Sequence, residues 1–183
     1  MHALPRDFYE QDTTQVAQAL LGCQLVHRMQ GGMRIGRIVE TEAYVGSHDL
    51  AAHSSKGITP RTRIMYGPAG YAYVYLIYGI HHCMNVVTEA PGQGSAVLIR
   101  ALEPTQGITT STRGPGLLCR AMGIDLKLNG HDLLSPDFFI ASPPHVHAFH
   151  ITSRPRIGVA YAGEWAHKPL RFYIEGNAFV SRP

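Results

Sequence analysis

Charge is scarce in this chain: Asp, Glu, Lys and Arg make up 16% of its 183 residues, and tryptophan occurs once. Beside 45% hydrophobic residues, so low a charge content excludes an intrinsically disordered polymer. Cysteine is sparse too. Cys23, Cys83 and Cys119 are odd in number, far apart and set among apolar neighbours, with no CxxC or CxxxxH spacing. Neither a disulfide framework nor a zinc site is expected; reduced, buried thiols and a cytoplasmic location are. No apolar run is long enough to span a bilayer. Met1-His2-Ala3-Leu4-Pro5 leads into Asp7 and Glu10 rather than an apolar signal core, so no signal peptide is expected. The GxSxG elbow, Walker loop, GxGxxG unit and HExxH helix are all missing. The eleven histidines are scattered, and His81-His82 alone makes no ligand set, so no metal or other cofactor is expected.

What is present fits one well-buried domain over residues 1–183. The net charge of +3 is only mildly basic, and its distribution says more. Between Leu50 and Leu102 the cations Lys56, Arg61, Arg63 and Arg100 face the single acid Glu89. Arg154, Arg156, Lys168, Arg171 and Arg182 dominate the C-terminal stretch. A solvated surface and an anion-binding face are both open readings of each set.

Asp12-Thr13-Thr14-Gln15 resembles a capping box, with Gln15 reaching back, ahead of a helix through Val16, Leu20 and Leu21 that Gly22 ends. Cys23–Arg28 and Met33–Tyr44 read as strands joined through Gly31-Gly32. Gly70–Gly79 alternates aromatic and β-branched residues and predicts a strand, with His82–Thr88 returning after Gly79. Ser95–Leu102 is a nearly continuous apolar strand interrupted by Arg100. Gly114-Pro115-Gly116 opens a short helix stopped at Gly123; His145–Phe149 reads as a loop. Arg156–Ala162 and Pro169–Glu175 close the chain as strands. The class is α+β, richer in strand than helix.

Three places could carry chemistry. In Glu40-Thr41-Glu42-Ala43-Tyr44, period two puts both acids and the ring on one side of a strand. Partly buried carboxylates need a partner or a task, and pairing with arginines is as open as catalysis. Five of nine tyrosines, Tyr66, Tyr71, Tyr73, Tyr75 and Tyr78, crowd thirteen positions. Such rings stack on bases, or at a hairpin tip wedge into a base step; a half-buried sheet face is the plainer alternative. Arg100, inside Val97-Leu98-Ile99-Arg100, needs a carboxylate such as Glu103 or a phosphate.

Taken in order, these segments resemble the alkyladenine (3-methylpurine) DNA glycosylase family of animals and many bacteria. The likeness rests on Arg37–Tyr44, Ala51-Ala52-His53, Thr59-Pro60-Arg61, Tyr73–Gly79, Cys83-Met84-Asn85, Val97–Pro104 and Gly158–Tyr173 around Ala162-Gly163-Glu164-Trp165. It implies a curved, mostly antiparallel sheet with flanking helices and a protruding hairpin that enters the minor groove of DNA. It implies Glu42 as general base for an attacking water, with Arg100 holding that water or the adjacent phosphate. Tyr44, His53 and Tyr75 would sandwich a flipped purine in a pocket with Ala51, and Asn85 would crowd the 2-amino group of guanine. Tyr78 would be the wedge, supported by Ile80 or Leu98, and Arg61, Arg63 and His81 would meet the DNA backbone. The implied partner is duplex DNA containing damaged purines, met by a monomer without cofactor in the cytoplasm, at the nucleoid in a bacterium. The family pattern has no Schiff-base lysine, so water as the nucleophile and base release without strand cleavage are expected.

Two positions depart from the family pattern. Leu117 stands where Gly-Pro-x-Lys-Leu-Cys has lysine, which would lower the salt slope of duplex binding by about 0.9. His81 replaces tyrosine beside the wedge. A catalytically silent nucleic-acid binder and a hydrolase of free nucleosides or modified RNA are the alternatives. Intact Glu42 and Arg100 weigh against the first, and a wedge at Tyr78 against the second.

Overall fold

The computed structural model describes residues 1–143 and 148–183. Two short helices, α1 (Arg6–Tyr9) and α2 (Thr13–Ala19), precede strands β1 (Gln24–Met29), β2 (Gly32–Tyr44), β3 (Ala72–Ile77), β4 (His81–Thr88) and β5 (Ser95–Gln106). Helix α3 (Pro115–Met122) follows, then β6 (Phe138–Ala141), β7 (Ile151–Arg154) and β8 (Arg171–Ile174). At the start of α2 Asp12 caps as expected, accepting from the Thr14 and Gln15 amides at 2.9 and 3.1 Å, while no reciprocal bond from the Gln15 side chain is found among the described residues. Gly123, in the left-handed region, ends α3.

Eight antiparallel strands form one curled sheet in the order β3-β4-β5-β2-β1-β6, with β8 on β2 and β7 on β8. The long β2 is its spine. β5 follows one edge of it, while the other edge passes from β1 at Gly32–Arg37 to β8 at Glu40–Glu42. The β2–β5 register slips around Glu40, so that Val39 and Arg100 have no opposite number in the ladder. A bulge of this kind redirects side chains. It brings Arg100 out of an apolar strand and against the acids of β2.

One face of the sheet carries the main core. Ile38, Val74, Met84, Ile99 and Leu102 pack there with Leu20, Leu118, Met122 and Phe138, all buried. Thr41 belongs to this side, its hydroxyl donating to the Ala17 carbonyl at 2.8 Å. The alternate residues, Glu40, Glu42 and Tyr44 on β2, Leu98 and Arg100 on β5, and Tyr73 and Tyr75 on β3, belong to the other face.

One expectation is corrected. Arg156–Ala162 is not a strand: β7 stops at Arg154, and Ala160–Ala166 is a 3-10 helix kinked at Gly163. The Ile157 amide donates to the Glu42 carboxylate rather than to a neighbouring strand. The short edge strands β6 and β7 lie where the pattern of side chains marks nothing. Of the loop expected at His145–Phe149, residues 145–147 lie outside the described residues.

The β3–β4 hairpin closes in a tight turn, with the Ile80 amide on the Ile77 carbonyl at 3.1 Å. Tyr78 (φ 52°) and Gly79 (φ 71°) both take positive φ, the conformation of a type I′ turn. Glycine adopts it freely; a tyrosine held there costs about 1–2 kcal/mol. Tyr78 nonetheless stands 91% exposed, and Ile80 71%. Tyr78→Asn, which creates the Asn-Gly pair such turns favour, should raise stability by about 1 kcal/mol in urea unfolding.

Candidate active site

On the face opposite the main core lies a cavity of about 490 Å³. Glu42, Tyr44, Ala51, His53, Tyr75, Asn85, Leu98 and Arg100, scattered in sequence, all line it. Glu42 is fully buried. Its Oε1 accepts from the Ile157 amide at 2.7 Å and meets Arg100 Nη1 at 3.3 Å; its Oε2 accepts from the Tyr44 hydroxyl at 2.9 Å. A carboxylate offers about four lone-pair sites, one more than these contacts use, and Glu42 lines the cavity.

Glu40 is equally buried but spent on structure. Its Oε1 accepts from Arg100 Nε at 3.2 Å and Arg171 Nη1 at 2.9 Å, and its Oε2 from the Ser181 amide at 2.7 Å. Arg100 thus bridges the two acids and also reaches Ser181 Oγ at 3.4 Å. Burial works against its charge, but Glu42 and Glu40 outweigh it and hold the guanidinium above its ordinary affinity for a proton. Glu103, the partner considered for Arg100, pairs instead with Arg37 at 3.1 Å.

The aromatic wall is neutral. Burial, helped by Glu42, keeps the Tyr44 phenol well above its usual range, and burial does the same at Tyr75 beside Cys83. His53 Nδ1 lies 3.0 Å from the Tyr73 hydroxyl. Burial, and then the nearby Arg61, lower its pKa from 6.5 to about 4. The His53 and Tyr75 rings meet edge to face at 4.6 Å, too close to admit a purine between them, so they form a single wall. Asn85 is buried, its Nδ2 donating to the Tyr73 carbonyl at 3.1 Å.

Other expected residues fall in different places. Leu98 is 4% exposed and built into the cavity wall opposite Glu42 and Asn85, so the exposed neighbour of Tyr78 is Ile80. Arg61 is exposed, yet its guanidinium lies 5.0 Å from the Tyr75 ring centre at the cavity mouth. Arg63 and His81 are exposed. His81 packs so closely on Gly116 that a Cβ there would sit 3.1 Å from its own. With Tyr78 and Leu117, His81 lines a shallow groove between the hairpin and α3.

The C-terminal basic set divides. Arg156 and Arg171 are buried in ion pairs, with Asp49 and Glu40. Their signal was available: each is a lone cation flanked by an apolar residue, the same anomaly that marks Arg100. Tyr73, Tyr161, Val159 and Gly158 also line the cavity, and Tyr161 donates to the Ala51 carbonyl at 3.1 Å. Among the described residues no cluster of His, Cys, Asp and Glu is suited to a metal, and no helix is long and apolar enough to cross a membrane.

The His53 shift has a sign that can be tested. Its folded value lies below the ordinary 6.5, so on acidification the unfolded chain takes up the proton first. Stability from this source is full above about pH 6.5 and is lost as the pH falls toward 4. NMR should show His53 titrating near 4, and His53→Asn should flatten the stability–pH curve between those values.

A family model described as methylpurine-DNA glycosylase matches residues 7–178. A Legionella pneumophila (strain Corby) protein named "Putative 3-methyladenine DNA glycosylase" is 63% identical over 182 residues, spanning all of both chains. Proteins of the same name from Myxococcus xanthus (strain DK1622) and Anaeromyxobacter sp. (strain Fw109-5) are 50% and 57% identical. They cover 100% and 98% of this chain and 95% and 92% of their own lengths.

Proposed function

The chain belongs to the methylpurine-DNA glycosylase family and is a DNA glycosylase, and from that premise we propose that it flips an alkylated or deaminated purine out of duplex DNA and hydrolyses its N-glycosidic bond with a water activated by Glu42. The observation that carries this is a fully buried carboxylate in an aromatic cavity, with three acceptor positions filled and one open. The Tyr44 hydroxyl, the Ile157 amide and Arg100 fix its plane, so the open position is aimed before substrate arrives. Positioned general-base assistance of this kind contributes about 10²–10⁴-fold.

The flipped purine lies between Tyr44 and the His53–Tyr75 wall, with Ala51 and Asn85 bounding its edge. Stacking contributes about 1–3 kcal/mol per base. A methylated, positively charged purine gains about 0.5–2 kcal/mol more from the ring faces and leaves more readily. His53, uncharged at neutral pH, does not repel it. Asn85 is held by the Tyr73 carbonyl and excludes the 2-amino group of guanine by contact. Substrates are of the 3-methyladenine, hypoxanthine and ethenoadenine class. Tyr78, backed by Ile80, fills the place the nucleotide leaves, offsetting an extrusion cost of a few kcal/mol that is least at a damaged pair. Arg63 and His81 meet the DNA backbone; Arg61 guards the mouth. The working form is a monomeric, single glycosylase domain over residues 1–183, and the product is an abasic site in an unbroken strand.

Single-turnover excision from duplexes carrying hypoxanthine, ethenoadenine or methylated purines tests the reading. Wild type should release base with strand breaks only after alkali, and Glu42→Gln should bind but excise at least about 100-fold more slowly. Lesion binding without release by wild type would instead indicate a silent binder, and a borohydride-trapped adduct would defeat the water mechanism. Tyr78→Asn, though the more stable protein, should bind lesion duplex about 10-fold more weakly and spare single strands. Equal losses on both substrates would count against wedging.

A further inference from the structure

Behind Tyr44 lies a second buried ion pair, between Arg156 and Asp49, both side chains fully inaccessible. Arg156 Nη1 donates to the Ala43 carbonyl at 2.8 Å and to Asp49 Oδ2; Nη2 donates to Asp49 Oδ1 at 2.9 Å and to the Trp165 carbonyl at 3.3 Å. Asp49 in turn accepts from the Val45 and Ala51 amides, at 3.2 and 3.0 Å. One guanidinium therefore ties together the end of β2, the turn 45–51 and the segment 156–165.

Each of those attachments ends at the site. Ala43 lies between Glu42 and Tyr44. Ile157, the residue after Arg156, gives Glu42 Oε1 its 2.7 Å hydrogen bond. The guanidinium carbon sits 4.7 Å from the centre of the Tyr44 ring, and the hydroxyl of that ring holds Glu42 Oε2. Both oxygens of Glu42 are thus held by groups that Arg156 places. Residues 156–159 have no strand to fix them, since β7 ends at Arg154. Arg156 Nε, moreover, is buried without a hydrogen-bond partner among the described residues. An unmet donor is a defect that a merely structural pair has no reason to keep.

We propose that Arg156, held by Asp49, is a positioning residue for the reaction: it sets the aim of the Glu42 carboxylate and the plane of the Tyr44 ring. This rests on the reading of Glu42 as general base. The role needs a planar fork, since four hydrogen bonds made from two nitrogens with the guanidinium carbon over a ring are beyond a lysine ammonium. Arg156→Lys therefore keeps the charge opposite Asp49 and loses the alignment.

The test measures single-turnover excision, affinity for lesion duplex and thermal unfolding on Arg156→Lys, with Glu42→Gln alongside. Misalignment of about 1 Å costs about 100-fold, so Arg156→Lys should excise about 10- to 100-fold more slowly while affinity changes by less than about threefold. Excision at the wild-type rate, or rate and affinity falling together with stability, overturns the proposal. If Arg156→Lys does not fold, the paired change Asp49→Asn with Arg156→Gln removes both charges and keeps polar partners. Slow excision by that folded protein supports the role, and wild-type excision overturns it. A fully active Glu42→Gln overturns the general-base reading itself; an inactive Glu42→Gln beside a fully active Arg156→Lys overturns only the positioning role.

Discussion

Arg100 lies between two buried carboxylates, and the shape of the molecule around it follows from that arrangement. Taking an ion out of water costs several kcal/mol, and leaving one partner of a buried pair alone costs about 3–5 kcal/mol. Glu40, Glu42, Arg100 and Arg171 must therefore arrive together or not at all. The slip in the β2–β5 register supplies Arg100, and β8 replaces β1 beside β2 where Glu40 and Glu42 stand, bringing Arg171. A group of leucines would pack as well there and cost less. Of the two acids Glu42 is the one that lines the cavity, its oxygens held from two separate segments, by Tyr44 and by the Ile157 amide.

The site combines this rigid floor with a tip of opposite character. The floor is closely held: Glu40 and Glu42 each take three contacts on their two oxygens. The tip holds a tyrosine in a backbone conformation that suits glycine and leaves its ring in water. Both depart from what stability alone would favour, and they do so at the two ends of one cavity. Between them the walls are apolar and aromatic, with tyrosines that keep their protons and a histidine that stays neutral.

Much of this was legible in the sequence. The strands of the hairpin, the acids of β2 and the lone cation of β5 could be read from alternation and from charges in apolar company. Glu42, Tyr44, His53, Tyr75 and Asn85 meet in one cavity as the family likeness implies. The bulge was not legible, because Val39 and Arg100 look like ordinary members of regular strands until the partner strand is known. Ile80 and Leu98 were alternatives for supporting the wedge, and alternation along one strand does not tell that Ile80 is exposed at the turn while Leu98 lines the cavity. Arg156 and Arg171 were counted with surface cations because net charge ignores where a residue points. The Ile157 amide carries no side-chain signal at all.

Glu40 takes its last hydrogen bond from the Ser181 amide, and Arg171 donates to the Arg182 carbonyl at 2.6 Å. The centre of the site is thus finished by residues some 141 positions downstream of its first acid. Whatever loosens the segment after Ile174 is therefore felt at once at Glu40, two positions from Glu42 on the same strand, although no described residue of that segment lines the cavity.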